Sequence, residues 1–466
     1  RLHAVIVPGI AAGLPLVVLV GVIGWEGEPI GLLNQAYFTL LPVIAIADAI
    51  HLVERTHEEL RGGLAPDEAV ETAAGHVGWA CLLTSLTTAA GFASLAISGM
   101  PILRSFGLYA ALGMLLAYVS IVLVIPPLLA FILRRGASAG PDPRTPEGGP
   151  RWAVTHRGWV FLLFVVTFGA GLWGAREVVV DNRLSELLES DHPVAEASAV
   201  VDHELGGILA LELDATSSTG AWSDSDRQQL EEIAQWATDQ PEVRAVVGPQ
   251  VLPDRARISL RTADIGGRAF GQLRARVREH LDAHPSDTME TRLTGTPAVA
   301  YRGINRITDD LRRSLAMVLA IVTLVLGLLL RSVRLAALSL LPNLFPLVVA
   351  YGLVGWTATT LDPLATVILT VALGIAVDDT IHILARYAAE RQEGRERDEA
   401  IVTAMRATGR AVVVTSVTLA VGLFVNRASS FPPLQMLGLL GSSAMLLALV
   451  ADLGLLPALL ATFGRK

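Results

Sequence analysis

Two short stretches carry the residues whose types and spacing could do chemistry. In IADAIHLVER (46–55), Asp48, His51 and Arg55 follow one another at steps of three and four. In VDDTIHILAR (377–386), Asp379, His382 and Arg386 repeat that spacing, and Asp378 places a second carboxyl group beside the first. On a helix such steps put side chains on one face. Both stretches lie inside apolar runs, where a charge at the centre of a bilayer costs at least about 2.5–3.5 kcal/mol. Burial and a neighbouring carboxylate both disfavour ionisation, and a cluster of such groups titrates as a unit. The chemistry open to Asp48, Asp378 and Asp379 is therefore reversible protonation: a relay in which each proton crossing the membrane yields about 2.3 kcal/mol per 100 mV. The static alternative is a hydrogen-bonded lock between helices. His51 and His382 fit either a place in the relay or the capping of a helix end.

The elements that must position these residues are membrane helices. The chain has 466 residues, of which 52% are hydrophobic and 17% charged, and its mean hydropathy is +0.53. Ten apolar spans can be read, at 5–25, 34–54, 76–98, 105–133, 157–177, 312–331, 335–357, 362–387, 410–427 and 433–463, each long enough to cross a hydrocarbon core of about 30 Å. The net charge of −8 lies mostly in one polar segment and argues against nucleic acid as a partner. The only cysteine, Cys81, offers neither a disulfide framework nor a cysteine motif for a metal, and no metal or cofactor is expected. The single lysine, Lys466, ends the chain, so no span carries one.

Arginines sit after spans two, four, six and eight and at both termini, whereas the opposite short loops hold only Arg104 and Arg427. By the positive-inside rule both termini of this chain are cytoplasmic and residues 178–311 extracytoplasmic. Trp25 and Trp356 fall at the outer ends of their spans, as interfacial anchors would. Arg55 and Arg386 fall at the inner ends, where they can reach the lipid headgroups. The domains expected are spans in 1–135, a cytoplasmic linker at 136–156 containing GASAGPDPRTPEGGP, a span at 157–177, an external domain at 178–311, and spans in 312–466. Within the external segment the pattern reads strand, helix, strand, strand, helix, strand, the order of a ferredoxin-like unit. No hydrolase, zinc-protease or phosphate-loop motif occurs in it, so it reads as a substrate-handling or gating domain.

Shifted by 331 residues, the sequence aligns with itself without a gap. PLVVLVGVIGW (15–25) falls on PLVVAYGLVGW (346–356), and LTSLTTAAGFA (83–93) on VTSVTLAVGLF (414–424). Asp48 matches Asp379, His51 matches His382, and Thr84 and Ser85 match Thr415 and Ser416. These threonines either support the relay or bond back to their own helix carbonyls. Asp452, whose counterpart is Ile121, reads as a helix-packing polar group. Equal topology in both copies makes this a parallel repeat about an axis along the membrane normal. The counterparts of span 157–177, the external domain and span 312–331 fall before residue 1. About 175 further residues are therefore expected upstream, giving twelve spans and two external domains.

Two parallel halves, each with an external ferredoxin-like insert after its first span, resemble the resistance-nodulation-division (RND) superfamily. GIAVDDTIH (374–382) followed by VVVTSVTLAVGL (412–423) is similar to the MMPL branch, and Gly374 to Asp378 also fits the GxxxD of sterol-sensing relatives. The resemblance implies a multi-span α-helical membrane protein with an α+β external domain, found in a bacterial or archaeal inner membrane. It also implies an exporter of hydrophobic or lipid-like substrates that lies among membrane lipids and uses protons as coupling ion. The relay would be Asp48, Asp378 and Asp379, supported by His51, His382, Thr84 and Thr415. Two departures stand out. The multidrug branch pairs its aspartates with a lysine that this chain lacks, and Ala47 stands where the other half has Asp378. The external segment is also short, so an outer-membrane channel partner is not expected. Homo-oligomerisation stays open. The rival readings are a proton-coupled accessory of protein secretion and a non-transporting sterol-sensing-like sensor.

Overall fold

The computed structural model describes the chain apart from residues 1–2, 32, 136–147, 179–180, 182, 184–187, 189–190, 358–362 and 465–466. The first four apolar runs form α1 (His3–Glu26), α2 (Tyr37–Arg61), α3 (Pro66–Ala93), and α4 (Pro101–Leu123) with α5 (Ile125–Arg134). After α6 (Gly148–Thr155) and α7 (Arg157–Ala175) the polar segment begins. It holds α8 (Pro193–Glu204), β1 (Leu209–Ser217), α9 (Asp224–Thr238), β2 (Val243–Val251), β3 (Arg255–Thr262), α10 (Gly266–Ala283) and β4 (Met289–Thr294). The chain then returns to long helices: α11 (Thr296–Leu330), α12 (Val333–Trp356), α13 (Pro363–Gln392), α14 (Arg397–Phe424) and α15 (Pro432–Phe463).

Among the described residues nine helices are long and apolar enough to cross a membrane, and the chain is a multi-pass membrane protein. The remaining expected span, 362–387, falls on α13; Asp362 and the side chains of 363–371 lie outside the described residues. Several helices outrun the apolar runs that announced them. α2 and α13 continue to Arg61 and Gln392, and α3 and α14 begin at Pro66 and Arg397, where proline or acidic residues in the first turn suit a helix N-terminus.

The repeat survives in the backbone. α3 and α14 both have 28 residues and begin 331 apart, and each runs into a short 3-10 turn, Ser94–Ile97 and Val425–Ala428. One difference has a covalent cause. α15 carries Pro457 inside an unbroken helix, whereas its counterpart Pro126 is followed by Pro127, and the helix breaks at Val124 into α4 and α5. Two consecutive residues without an N–H remove two hydrogen bonds of the helical ladder.

The halves meet where α3 packs on α13 and α2 on α14. One apolar core runs through both, from Leu41 and Ile44 to Leu373 and Ile381. α7 packs on α12 through glycines: a Cβ on Gly171 would lie 3.0 Å from the Val348 carbonyl oxygen, and one on Gly355 would strike the carbonyl of Gly174. Small residues of this kind let membrane helices approach closely. Trp25, Trp159 and Leu328 remain exposed on the outer face of the bundle, as suits lipid contact. In the linker, residues 136–147 lie outside the described residues. Residues 148–155 form α6, which packs on α14 and α15.

The polar segment folds as expected into a four-stranded antiparallel sheet of order β2-β3-β1-β4, with α9 and α10 covering an apolar core that includes Leu213, Ile233, Ile258 and Leu273. β4 passes into α11 through the single residue Gly295, whose φ of 100° suits glycine. α11 then runs without a break from the sheet into the bundle, a feature the apolar run 312–331 did not announce. On the way, Asp310 accepts hydrogen bonds of 2.9 Å from Ser98 Oγ and from the Gly99 backbone N–H, and Ser314 donates to the Ser94 carbonyl at 2.9 Å. These bonds tie the foot of the external domain to the first half.

Candidate functional site

Four helices converge midway through the bundle. α2 brings Asp48 and His51, α3 brings Cys81, Thr84, Ser85 and Thr88, α13 brings Asp378, Asp379 and His382, and α14 brings Thr415 and Ser416; all are buried. The seven residues singled out from the sequence thus lie in one layer between the halves. Close van der Waals fit and hydrogen bonds between helices hold this packing, because lipid is as apolar as the helix faces, and the polar residues lie in the contact between the halves.

Asp379 is the most fully engaged carboxylate. Oδ1 accepts from Thr415 Oγ1 at 3.0 Å, Oδ2 accepts from Ser416 Oγ at 2.5 Å, and His51 Nε2 of the other half lies 3.6 Å from Oδ1. Thr415 also lies 3.0 Å from the carbonyl oxygens of Ala411 and Val412. Its hydroxyl thus lies within reach of its own helix carbonyls and of the carboxylate. Asp48 faces Thr84, His51 and Asp379, and Thr84 also donates to the Cys81 carbonyl at 3.1 Å. The two histidines stack, with ring centroids 3.9 Å apart and planes 10° from parallel. They sit between the halves, a place that pure helix-end capping does not explain.

Thr88 escaped the sequence reading. Its Oγ1 lies 3.0 Å from the Gly374 carbonyl oxygen and 3.1 Å from Asp378 Oδ1, donating across the boundary between the halves. A Cβ built on Gly374 would lie 3.7 Å from Thr88 Cα, and one on Gly91 would lie 3.7 Å from Gly374 Cα. α3 and α13 thus cross with almost no side chain between them, which gives the glycine of GxxxD a geometric reason. A signal was present: under the 331-residue shift Thr88 falls on Leu419 and Asp378 on Ala47, so a polar pair replaces an apolar one. The same substitution recurs nearby. Thr380 donates to Asp452 Oδ1 at 2.6 Å and lies 3.2 Å from Asn343 Oδ1, where the first half has Ala49, Ile121 and Ala12. Asp452, on α15, therefore joins the polar layer through Thr380, the residue that follows Asp379 on α13.

Towards the arginine-rich end the layer opens into a cavity of about 130 Å³ lined by His51, Glu54, Glu58, His76, His382 and Arg386, among others. The arginines there pair with carboxylates. Arg55 binds Glu58 at 2.7 Å and Glu59 at 2.6 Å, and Arg386 binds Glu390 at 2.7 Å. Arg386 also lies 3.8 Å from Glu58 and Arg410 3.3 Å from Glu54, both across the halves.

The sequence profile of the MMPL family matches residues 2–167 and 188–466, which is most of the chain. The chain belongs to the MMPL family. Among its relatives, the heme uptake protein MmpL11 of Mycobacterium tuberculosis is 26% identical over 465 residues, covering 91% of this chain and 47% of that protein. The hopanoid transporter HpnN of Burkholderia multivorans is 28% identical over 172 residues, covering 37% of this chain and 20% of that protein. The chain spans about half the length, or less, of these relatives. Its fold is similar to that of SecDF, a translocon-associated membrane protein from Thermus, with a TM-score of 0.65 at 15% identity over 98% of this chain and 59% of SecDF.

Proposed function

We propose that the chain is part of an MMPL-type exporter of hydrophobic or lipid-like substrates, driven by the proton-motive force through Asp48, Asp378 and Asp379. One observation carries the reading: three buried carboxylates from both halves share one layer, and Asp379 is bonded by its own half through Thr415 and Ser416 while facing His51 of the other. A proton arriving on Asp379 removes the charge that holds these donors and the histidine, so protonation can change how the halves pack. Thr84 and Thr415 supply hydroxyls that turn towards or away from the carboxylates. His51 and His382 stand between the carboxylates and the cavity, which serves as the route to the arginine-rich side. The lipid-like class of cargo is supported by the hopanoid transporter among the relatives.

On this reading the chain lies in a bacterial or archaeal inner membrane, with both of its termini and the arginine-rich end cytoplasmic and residues 178–311 outside. The test uses full-length protein in liposomes, with proton flux followed after an imposed pH gradient. Wild type should carry protons, and Asp379→Asn and Asp48→Asn, once shown to fold, should not. Unchanged flux in those variants would overturn the relay.

A further inference from the structure

Cys81 has no part in the relay just described, and its counterpart in the second half is Val412. Its surroundings are nevertheless those of a ligand set. The Cys81 sulfur, a carboxylate oxygen of Asp48 and a ring nitrogen of His382 all lie within 4.8 Å of one another, and all three residues are buried. They come from three helices, α3, α2 and α13, and from both halves. His382 Nε2 is buried and, among the described residues, has no hydrogen-bond partner. Its repeat mate His51 lies 3.6 Å from Asp379, so the vacant imidazole nitrogen is particular to His382.

We propose that Asp48, Cys81 and His382 form a binding site for a thiophilic divalent cation, with Zn²⁺ as the best match, that clamps the two halves together. Thiolate, imidazole and carboxylate are zinc's own donor types, and three protein ligands with one open position are a familiar zinc arrangement. A thiolate beside an imidazole selects against Mg²⁺ and Ca²⁺, which take oxygen ligands. Charge favours it too: Zn²⁺ with one thiolate, one carboxylate and a neutral imidazole is neutral overall, as a low-dielectric interior requires. Binding releases the Cys81 proton, and that of Asp48 where it is protonated, so affinity rises with pH. Entry runs through the cavity, which His382 lines directly. Donor atoms around one zinc lie closer together than 4.8 Å, so the site closes on the metal by a small approach of α2 and α3 to α13.

Co²⁺, an open-shell stand-in for Zn²⁺, gives the readout in purified full-length protein in detergent. The wild type should bind one Co²⁺ at this site with a thiolate-to-cobalt charge-transfer band that Zn²⁺ abolishes by displacement. Cys81→Ser should remove the band, and both Cys81→Ser and His382→Gln should weaken binding by at least about tenfold, the lower end of the effect of disturbing a metal's ligand shells. No band in the wild type, or unchanged affinity in both folded variants, would overturn the site. A second arm rests on the relay reading, because the metal would occupy Asp48. Zn²⁺ should stop proton flux in wild type and spare Cys81→Ser. Binding without inhibition would leave the site standing and count against the relay.

Discussion

His51 and His382 stack face to face at 3.9 Å although they lie 331 residues apart, and they are each other's counterparts in the repeat. The pseudo-two-fold axis of the bundle therefore passes between the two rings. The symmetry stops at their next neighbours. His51 reaches Asp379, whereas His382 Nε2 has no hydrogen-bond partner among the described residues. Two chemically matched histidines thus make different contacts.

This asymmetry predicts unequal effects of one substitution. His51→Phe keeps an aromatic ring in the stack and removes the partner of Asp379, so proton flux should fall at least about tenfold, a barrier change of about 1.4 kcal/mol. His382→Phe should cost less. Flux measured in liposomes against pH checks both, and equal losses would mean that the histidines act alike.

Thr88→Val leaves Asp378 Oδ1 without its hydroxyl donor, and a buried acceptor losing its partner costs about 1–3 kcal/mol. The double variant Thr88→Leu with Asp378→Ala installs the apolar pair that the first half already has in Ala47 and Leu419, and should recover most of that stability. Thermal unfolding of both proteins in detergent compares them. A double variant less stable than Thr88→Val would show that the pair is more than a polar substitute for an apolar one.

Gly355→Leu should separate α7 from α12, because a Cβ at that position strikes the Gly174 backbone. Inserting bulk into a packed contact costs about 1–3 kcal/mol, occasionally more. Gly9→Leu on α1, where a Cβ would meet nothing within 4 Å, provides the control. The melting temperature in detergent should fall for the first and hold for the second.

The external domain should respond to acid through Asp226. This carboxylate accepts from Ser223 Oγ at 2.6 Å, from the Ser223 N–H at 3.0 Å and from Thr288 Oγ1 at 2.5 Å, and the Ser223 bond foremost holds it below the usual carboxylate range. A depressed folded-state value contributes stability above the unfolded value of about 3.9, and loses it as pH falls through the folded one. Asp226→Asn should therefore destabilise residues 209–294 more at pH 7 than at a pH below the folded-state value. Hydrogen exchange of the intact protein at the two values reads this out. An equal effect at both would assign the residue's role to packing.

Apolar run length, periodicity and the match of the sequence to itself were enough to read the helical bundle, the order of elements in the external domain and the repeat. Each is a local pattern that burial enforces along the chain. The relay candidates were legible for a related reason: a carboxylate in an apolar run is conspicuous, and the repeat pointed to Asp48 as the partner of Asp379. What local pattern could not carry was who touches whom across the halves. Thr88 looks like any hydroxyl in a membrane helix until α13 is laid against α3, and Cys81 looks like a small apolar filler until Asp48 and His382 close around it. The glutamate partners of Arg55 and Arg386 went unread because they lie past the ends of the apolar runs, on the polar continuations of α2 and α13.

The passage from β4 into α11 through Gly295 has a mechanical consequence. A helix of 35 residues is a rod of about 52 Å at 1.5 Å per residue. Pivoting such a rod by about 5° at its inner end swings its outer tip by roughly 4–5 Å, given that same rise per residue. Because only Gly295 separates rod and sheet, the sheet must follow that swing, and the bonds from Ser98 and Gly99 to Asp310 are the ones it would strain first. A small tilt imposed on the inner end of α11 would thus reach the external sheet enlarged by the length of the rod.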